Sequence, residues 1–208
     1  AGNIALTEEL FGALATPETP ACARPPFRRV TMAEAFAEFA GLDLDALQER
    51  GAMIEAARSK GLVLGGDTSW EDAFNIVFLS LVEPGLPSDR PLVLDEYPGG
   101  IECLARDIPG KPYKERWELY VRGIEIANCF TEMASPEAVR AYFASQGAKK
   151  LLSMVPHRVD PEYAEVFADF PPCSGVAIGF DRLAMVLLGK EEIGQVLNFP
   201  FAAFAPQA

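Results

Sequence analysis

Apolar residues recur at helical spacing through roughly the first 82 positions and alternate with polar ones beyond residue 91. The chain therefore divides by period into a helical front and a strand-bearing back. Ile4, Leu6, Leu10, Phe11 and Leu14 form a ragged stripe that predicts a helix over 4–15. The prolines at 17, 20, 25 and 26 forbid continuous helix or central strand over 16–27, and Phe27 to Val30 reads as a short extended piece. Thr31 followed by Glu34 is a capping box, opening a helix that carries Met32, Phe36 and Phe39 and stops near Gly41. Two more helices are expected, over 43–59 and 70–82. Lys60-Gly61 closes the first, and Asp67-Thr68-Ser69 opens the second. The plain reading of 31–85 is a helical insertion that packs and carries no chemistry.

After residue 91 the period shortens. Strands are predicted over 91–98, 115–121 and 124–130, with a shorter piece over 101–105 and a loop over 109–114. Arg122-Gly123 has the length of a two-residue hairpin loop. Ser135-Pro136 opens a helix running past Phe143, 149–156 fits neither period, and 161–167 reads as a short helix. Residues 173–178 are small and apolar, with glycines at 175 and 179, the pattern of a buried strand approached closely by another group. Leu183 to Leu188 is an apolar helical run that Gly189 stops, and 191–196 is a closing helical turn before Asn198-Phe199-Pro200-Phe201. Periodicity supports a mixed α and β class, divided at 1–30, 31–90 and 91–208.

Composition narrows the function. The 208 residues carry 30 acids against 18 bases, a net charge of -12, which disfavours non-specific binding to the nucleic-acid backbone. Any nucleotide is then held by a few placed cations or a metal. Cys22, Cys103, Cys129 and Cys173 lie far apart and His157 is the sole histidine, so a zinc site is not expected. Scattered thiols fit a reducing cytoplasm. No apolar run approaches the ~20 residues of a membrane span.

Candidate chemistry sits at two places. Asp181 suits a helix start, but Arg182 beside it puts a cation where the helix end is already partly positive. That suggests a phosphate site; the alternative is a pair with a nearby carboxylate. In a hairpin closed over Arg122-Gly123, Val121 faces Ile124, Tyr120 faces Glu125 and Glu118 faces Ala127. Glu118 and Glu125 become diagonal neighbours roughly 7–8 Å apart. A hard cation such as Mg²⁺ would relieve their repulsion, unless the face is open and both acids are solvated. Asn128, Phe130 and Glu132 alternate on the face opposite Glu125, so all four line one cavity only if the strand bulges near 127–129. Glu132 would suit an ammonium group, and Tyr97 and Phe130 either flank an aliphatic stem or pack in the core.

The stretch Glu118-Leu119-Tyr120-Val121-Arg122-Gly123-Ile124-Glu125-Ile126-Ala127-Asn128-Cys129-Phe130-Thr131-Glu132 resembles the lysine-type class II aminoacyl-tRNA synthetases before motif 3. Gly175-Val176-Ala177-Ile178-Gly179-Phe180-Asp181-Arg182 resembles motif 3 itself. Cys173-Ser174-Gly175 and Ala177 are most similar to the elongation factor P lysine ligase group of that superfamily. The resemblance implies an α+β fold, an antiparallel sheet flanked by helices with a small helical insertion. It implies ATP, with Arg182 on the γ-phosphate end and Gly179 and Asp181 beside it, and Mg²⁺ on Glu118 and Glu125. Lysine would lie against Asn128, Phe130, Glu132 and Gly175. Ala177, where tRNA-charging enzymes usually have glycine, would narrow the pocket toward (R)-β-lysine. The implied acceptor is elongation factor P, or tRNA in the alternative reading, and a non-catalytic binding remnant is a third possibility. Cys129 departs from the family's glycine. The family's motif 1, which builds its homodimer, and motif 2, with its α-phosphate arginine, are not found in the chain. It is therefore expected to be the C-terminal part of an adenylating enzyme and inactive alone.

Overall fold

The computed structural model describes residues 2–200 apart from 152, 157 and 161; His157 and Phe201, singled out above, lie outside the described residues. Five strands form one mixed sheet in the order β1 (Arg28–Thr31), β2 (Leu92–Pro98), β3 (Tyr113–Val121), β4 (Ile124–Thr131) and β5 (Ser174–Ile178). β1 runs parallel to β2 and every other pair is antiparallel. The fold is therefore α+β, as expected. The piece expected at 101–105 is not a strand; only Ala105 forms a bridge, to Glu132.

A parallel pair needs a long crossover, and the helical stretch between β1 and β2 supplies it. Helix α2 (Met32–Ala35) opens on the Thr31–Glu34 capping box and continues as a π-helical turn, Phe36–Ala40. Gly41 ends it at φ 61, a left-handed conformation in which an L side chain is strained. Helix α4 (Trp70–Val77) opens on a Ser69–Asp72 box and ends in a second π turn, Phe78–Val82. The helix expected over 43–59 is broken into a 3₁₀ turn, Leu44–Leu47, and α3 (Arg50–Ser59). The indole of Trp70 donates to the Leu47 carbonyl at 2.7 Å, taking the acceptor that a continuous helix would use four residues on.

This block covers one face of β1–β3. Phe36, Phe74 and Phe78 stack in sequence above Leu92, Leu94 and Tyr120. Trp70 also explains Gly100, where a Cβ would fall 2.7 Å from the indole ring. The opposite face is covered by α1 (Gly2–Leu14) through Ile4 and Phe11, and by α6 (Phe180–Leu187) through Leu183, Met185 and Val186. A third, small cluster joins α5 (Pro136–Leu151) to a 3₁₀ segment, Tyr163–Asp169, through Val139, Ala164 and Phe167.

One burial expectation is corrected. β5 is not buried: Ser174, Gly175 and Ala177 are exposed, because β5 lies at the sheet edge and the helical block stops short of it. No helix among the described residues is long and apolar enough to cross a membrane.

Candidate active site

Two irregularities in the ladder bring the polar side chains to one face. Val121 pairs with Ile124 and Tyr120 with Glu125, as the two-residue hairpin requires, with φ of 56 and 73 at Arg122 and Gly123. Leu119 then pairs with Ala127, leaving Ile126 as an extra residue. Glu118 therefore faces Asn128, not Ala127, and Arg116 faces Phe130. The bulge resets the alternation, so Glu125, Asn128 and Phe130 share the face of Arg116, Glu118 and Tyr120. The bend lies one residue before the 127–129 stretch where it was expected. Cys129 falls on the opposite face, buried against Trp117. The second irregularity is in β2, where Glu96 adopts φ 56 and the register slips between Asp95 and Tyr97. That turns Tyr97 toward Glu118.

β5 extends this face. Asn128 pairs with Ala177, and Phe130 with Gly175. The Glu132 carboxylate lies over Gly175, where a Cβ would stand 4.0 Å from Oε1. Burial raises the Glu132 pKa above the usual carboxylate value. At the end of β5 the chain enters α6 at Gly179. Its N–H donates to the Ile126 carbonyl at 2.9 Å and its carbonyl accepts from Leu183 at 2.8 Å. Asp181 lies exposed in the first helical turn. Arg182 follows and turns back across the sheet edge. Its Nη1 donates to the Glu125 carbonyl at 2.9 Å and lies 3.7 Å from Glu125 Oε2. Glu125, Asn128, Ala177, Gly179, Asp181 and Arg182 thus line one open cavity of about 410 Å³. Glu118, Phe130, Glu132 and Gly175 do not line it; they continue the same sheet face beyond it.

Glu118 and Glu125 sit in different surroundings. Glu118 is 7% exposed, and three donors hold it. Tyr97 Oη donates to Oε2 at 2.5 Å, Tyr120 Oη to the same oxygen at 2.9 Å, and Arg116 Nη2 to Oε1 at 2.6 Å. Burial, reinforced by the Glu118 charge, raises both tyrosine pKa values, so both phenols stay protonated and donate. Glu125 is half-exposed. Burial and then Glu118 raise its pKa, and Arg182 opposes them. Glu83, where the helical block meets the sheet, is likewise raised by burial and then by Glu118. The sequence reading gave no role beside Glu118 to Arg116, Tyr120 or Glu83; the first two flank Glu118 two residues away on its own strand, a signal that alternation alone carries, whereas Glu83 comes from the end of the helical block.

Among the described residues no group of three or more His, Cys, Asp or Glu forms a metal cage. The pair Glu118 and Glu125 fits a less demanding ion. Mg²⁺ commonly takes one or two carboxylates, with phosphate oxygens and water completing its shell. A carboxylate has about four lone-pair positions. Three of those on Glu118 are used, one of them by Arg116 on Oε1. Glu125 Oε2 makes only its long contact to Arg182.

Comparison with known proteins identifies the family. A family model described as tRNA synthetases class II (D, K and N) matches residues 4–203. A lysine–tRNA ligase of Chloroflexus aurantiacus is 32% identical over 187 residues, 85% of this chain and 36% of that protein. An elongation factor P–(R)-β-lysine ligase homolog of Aquifex aeolicus is 35% identical over 167 residues, 80% of this chain and 54% of the relative. An elongation factor P–(R)-β-lysine ligase of Haemophilus influenzae is 33% identical over 179 residues, 84% and 55% of the two chains. The chain thus spans between 36% and 55% of the length of these relatives. The chain belongs to the class II tRNA synthetase family of the D, K and N type.

Proposed function

We propose that this member of the class II synthetase family is the motif 3 part of an ATP-dependent ligase. It activates lysine or (R)-β-lysine as an adenylate and passes it to a lysine of elongation factor P. The observation that carries this reading is the gathering of Arg182, Glu125, Asn128 and Ala177 around one cavity, with Phe130 and Glu132 next along the same face.

The roles follow from position. Arg182 would take the γ-phosphate, leaving its contact with Glu125, and Gly179 and Asp181 would border the nucleotide at the start of α6. Glu118 and Glu125 would hold Mg²⁺, which when bound supplies charge neutralisation between phosphates. Phe130 and Asn128 would flank the amino acid and Ala177 would narrow its pocket above Gly175. Glu132, partly buried and without a hydrogen-bonding side-chain partner among the described residues, would accept from its ammonium group. In adenylation the substrate carboxylate forms a bond to the α-phosphorus and pyrophosphate leaves. The acceptor amine then forms an amide and AMP leaves. No residue of this chain need act as nucleophile. Its work is orientation and charge stabilisation. The α-phosphate arginine of the family's motif 2 has no counterpart in these 208 residues, so the chain by itself should activate lysine poorly or not at all. We place the protein in the cytoplasm, away from membranes, and the complete protein as a homodimer, by its family.

A second reading, charging of tRNA with α-lysine, is supported by the lysine–tRNA ligase relatives. The test uses the complete gene product. Lysine-dependent ATP–pyrophosphate exchange, followed by transfer of labelled lysine isomers to elongation factor P but not to tRNA, supports the first reading. Transfer to tRNA alone supports the second. No exchange and no ATP binding means a non-catalytic binding protein.

A further inference from the structure

Arg116 has a position that adenylation alone does not explain. It is the only cation that touches Glu118 among the described residues, and its side chain is 18% exposed. Its guanidinium carbon stands 4.7 Å from the centre of the Tyr97 ring, a cation–π distance. Its Nε is buried and has no hydrogen-bond partner. Arg116 is therefore held by two contacts, one to a ring and one to a carboxylate oxygen, and its donor set is not saturated. The three donors on Glu118 divide unequally. Both phenols share Oε2, and Arg116 alone holds Oε1. Oε2 is filled by neutral donors that fix the carboxylate in place, while Oε1 keeps a lone pair and carries the single charged contact.

A buried carboxylate without a cation is costly, and here Glu125 and Glu83 add negative charge nearby. We propose that Arg116 is a resident stand-in for the metal. It neutralises Glu118 while no divalent cation is bound, and it yields Oε1 when one enters. The Tyr97 ring keeps the guanidinium within reach during the exchange, and the two phenols keep the carboxylate from turning. The inference rests on the reading that Glu118 and Glu125 hold a divalent cation. Lysine at this position would supply charge without the planar stacking surface.

The experiment reads stability and ion binding rather than activity. The full chain and its Arg116→Met variant are melted in chelator and then with millimolar MgCl₂, and Mn²⁺ binding is followed by the EPR signal of the free ion. In chelator the variant should melt roughly 6–20 °C below the parent, the shift for leaving a buried ion pair half-broken in a chain of this size. Mg²⁺ should recover at least half of that difference in the variant and move the parent little. Mn²⁺ should bind the variant about tenfold or more tightly, since no side-chain cation competes for Oε1. A double variant, Arg116→Met with Glu118→Gln, should regain metal-free stability and lose the response to metal. If Arg116→Met does not fold, Arg116→Lys is measured, with an intermediate melting point and Mg²⁺ response expected. Loss of stability without rescue by metal, or unchanged Mn²⁺ affinity, would make Arg116 a structural residue only and overturn the proposal. If the parent binds Mn²⁺ and Glu125→Gln removes it, the metal reading stands whatever Arg116 does. If no protein binds Mn²⁺, that reading falls and the stand-in with it.

Discussion

The two halves of the polar sheet face obey different rules. Over β1–β3 the helical block closes the face. Stacked phenyl rings cover the strands, and the one buried acid, Glu118, is met by donors from its own chain. Over β4–β5 the same face is open. Glu125 is half-exposed, Arg182 bridges to it across the sheet edge, and Glu132 has no side-chain partner among the described residues. Both halves belong to one continuous sheet, so the difference is where the covering block ends. The large buried side chains are concentrated in the closed half, and the carboxylates of Glu125 and Glu132 stand in the open half.

The largest effect should come from removing a ring at the centre of the closed half. Phe74 is 1% exposed and stacks on Phe36, Trp70 and Phe78. Phe74→Ala should cost about 3–5 kcal/mol in urea unfolding. Phe130→Ala, on the open half, should cost well under half of that and instead weaken lysine binding. Equal costs for the two would break the comparison.

The two acids give the next contrast. Glu118→Ala leaves Arg116 and two phenols facing a gap, a loss on the order of 3–5 kcal/mol. Glu125→Gln should stay within about 0.5 kcal/mol, as ordinary partly exposed substitutions do. Urea midpoints of the two variants side by side check this.

How much of this was legible depended on the range of the interaction. The Thr31–Glu34 capping box is a local pattern and stands where the sequence places it, and Ser69, the last residue of the expected opening Asp67-Thr68-Ser69, caps the helix from Trp70. So does the Arg122-Gly123 turn. The bulge at Ile126 was foreseen only as a need and placed one residue late, because alternation counts residues along a strand and cannot see the partner ladder. The contact of Tyr97 with Glu118 was illegible. Tyr97 reaches the carboxylate from 21 residues away, through a backbone twist at Glu96 that no side-chain pattern announces. The break at 48–49 depends on an indole 23 residues on. The stretch over 174–178 reads as buried because small apolar residues look alike at the centre of a sheet and at its edge. The roles given to Asn128 and Ala177 came with the family resemblance, since periodicity places them on a face and says nothing of a ligand, whereas the ammonium partner proposed for Glu132 followed from its charge alone.

A smaller effect separates the capping acids of the closed half from Glu132 of the open half by the sign of their pH dependence. In the closed half, hydrogen bonds from the Thr31 and Ser69 caps lower the pKa values of Glu34 and Asp72. Their contribution is present above the unfolded carboxylate pKa and is lost as pH falls through the lowered folded value. In the open half, burial raises Glu132. Its folded form keeps a proton that the unfolded chain has released, so stability falls as pH rises from the unfolded value through the raised folded one. Urea midpoints across the acid range should fall less steeply over that window in Glu132→Gln. In Glu34→Gln the loss of stability toward low pH should be reduced instead.

The central claim is that the open half is an adenylation site for lysine or its β isomer. The most direct measurement is lysine-dependent ATP–pyrophosphate exchange by the complete protein, comparing the parent with Arg182→Ala and Glu132→Gln. The account predicts at least a hundredfold loss of exchange in each variant, with urea midpoints close to the parent. Exchange that survives both substitutions, or that never depends on lysine, would contradict it.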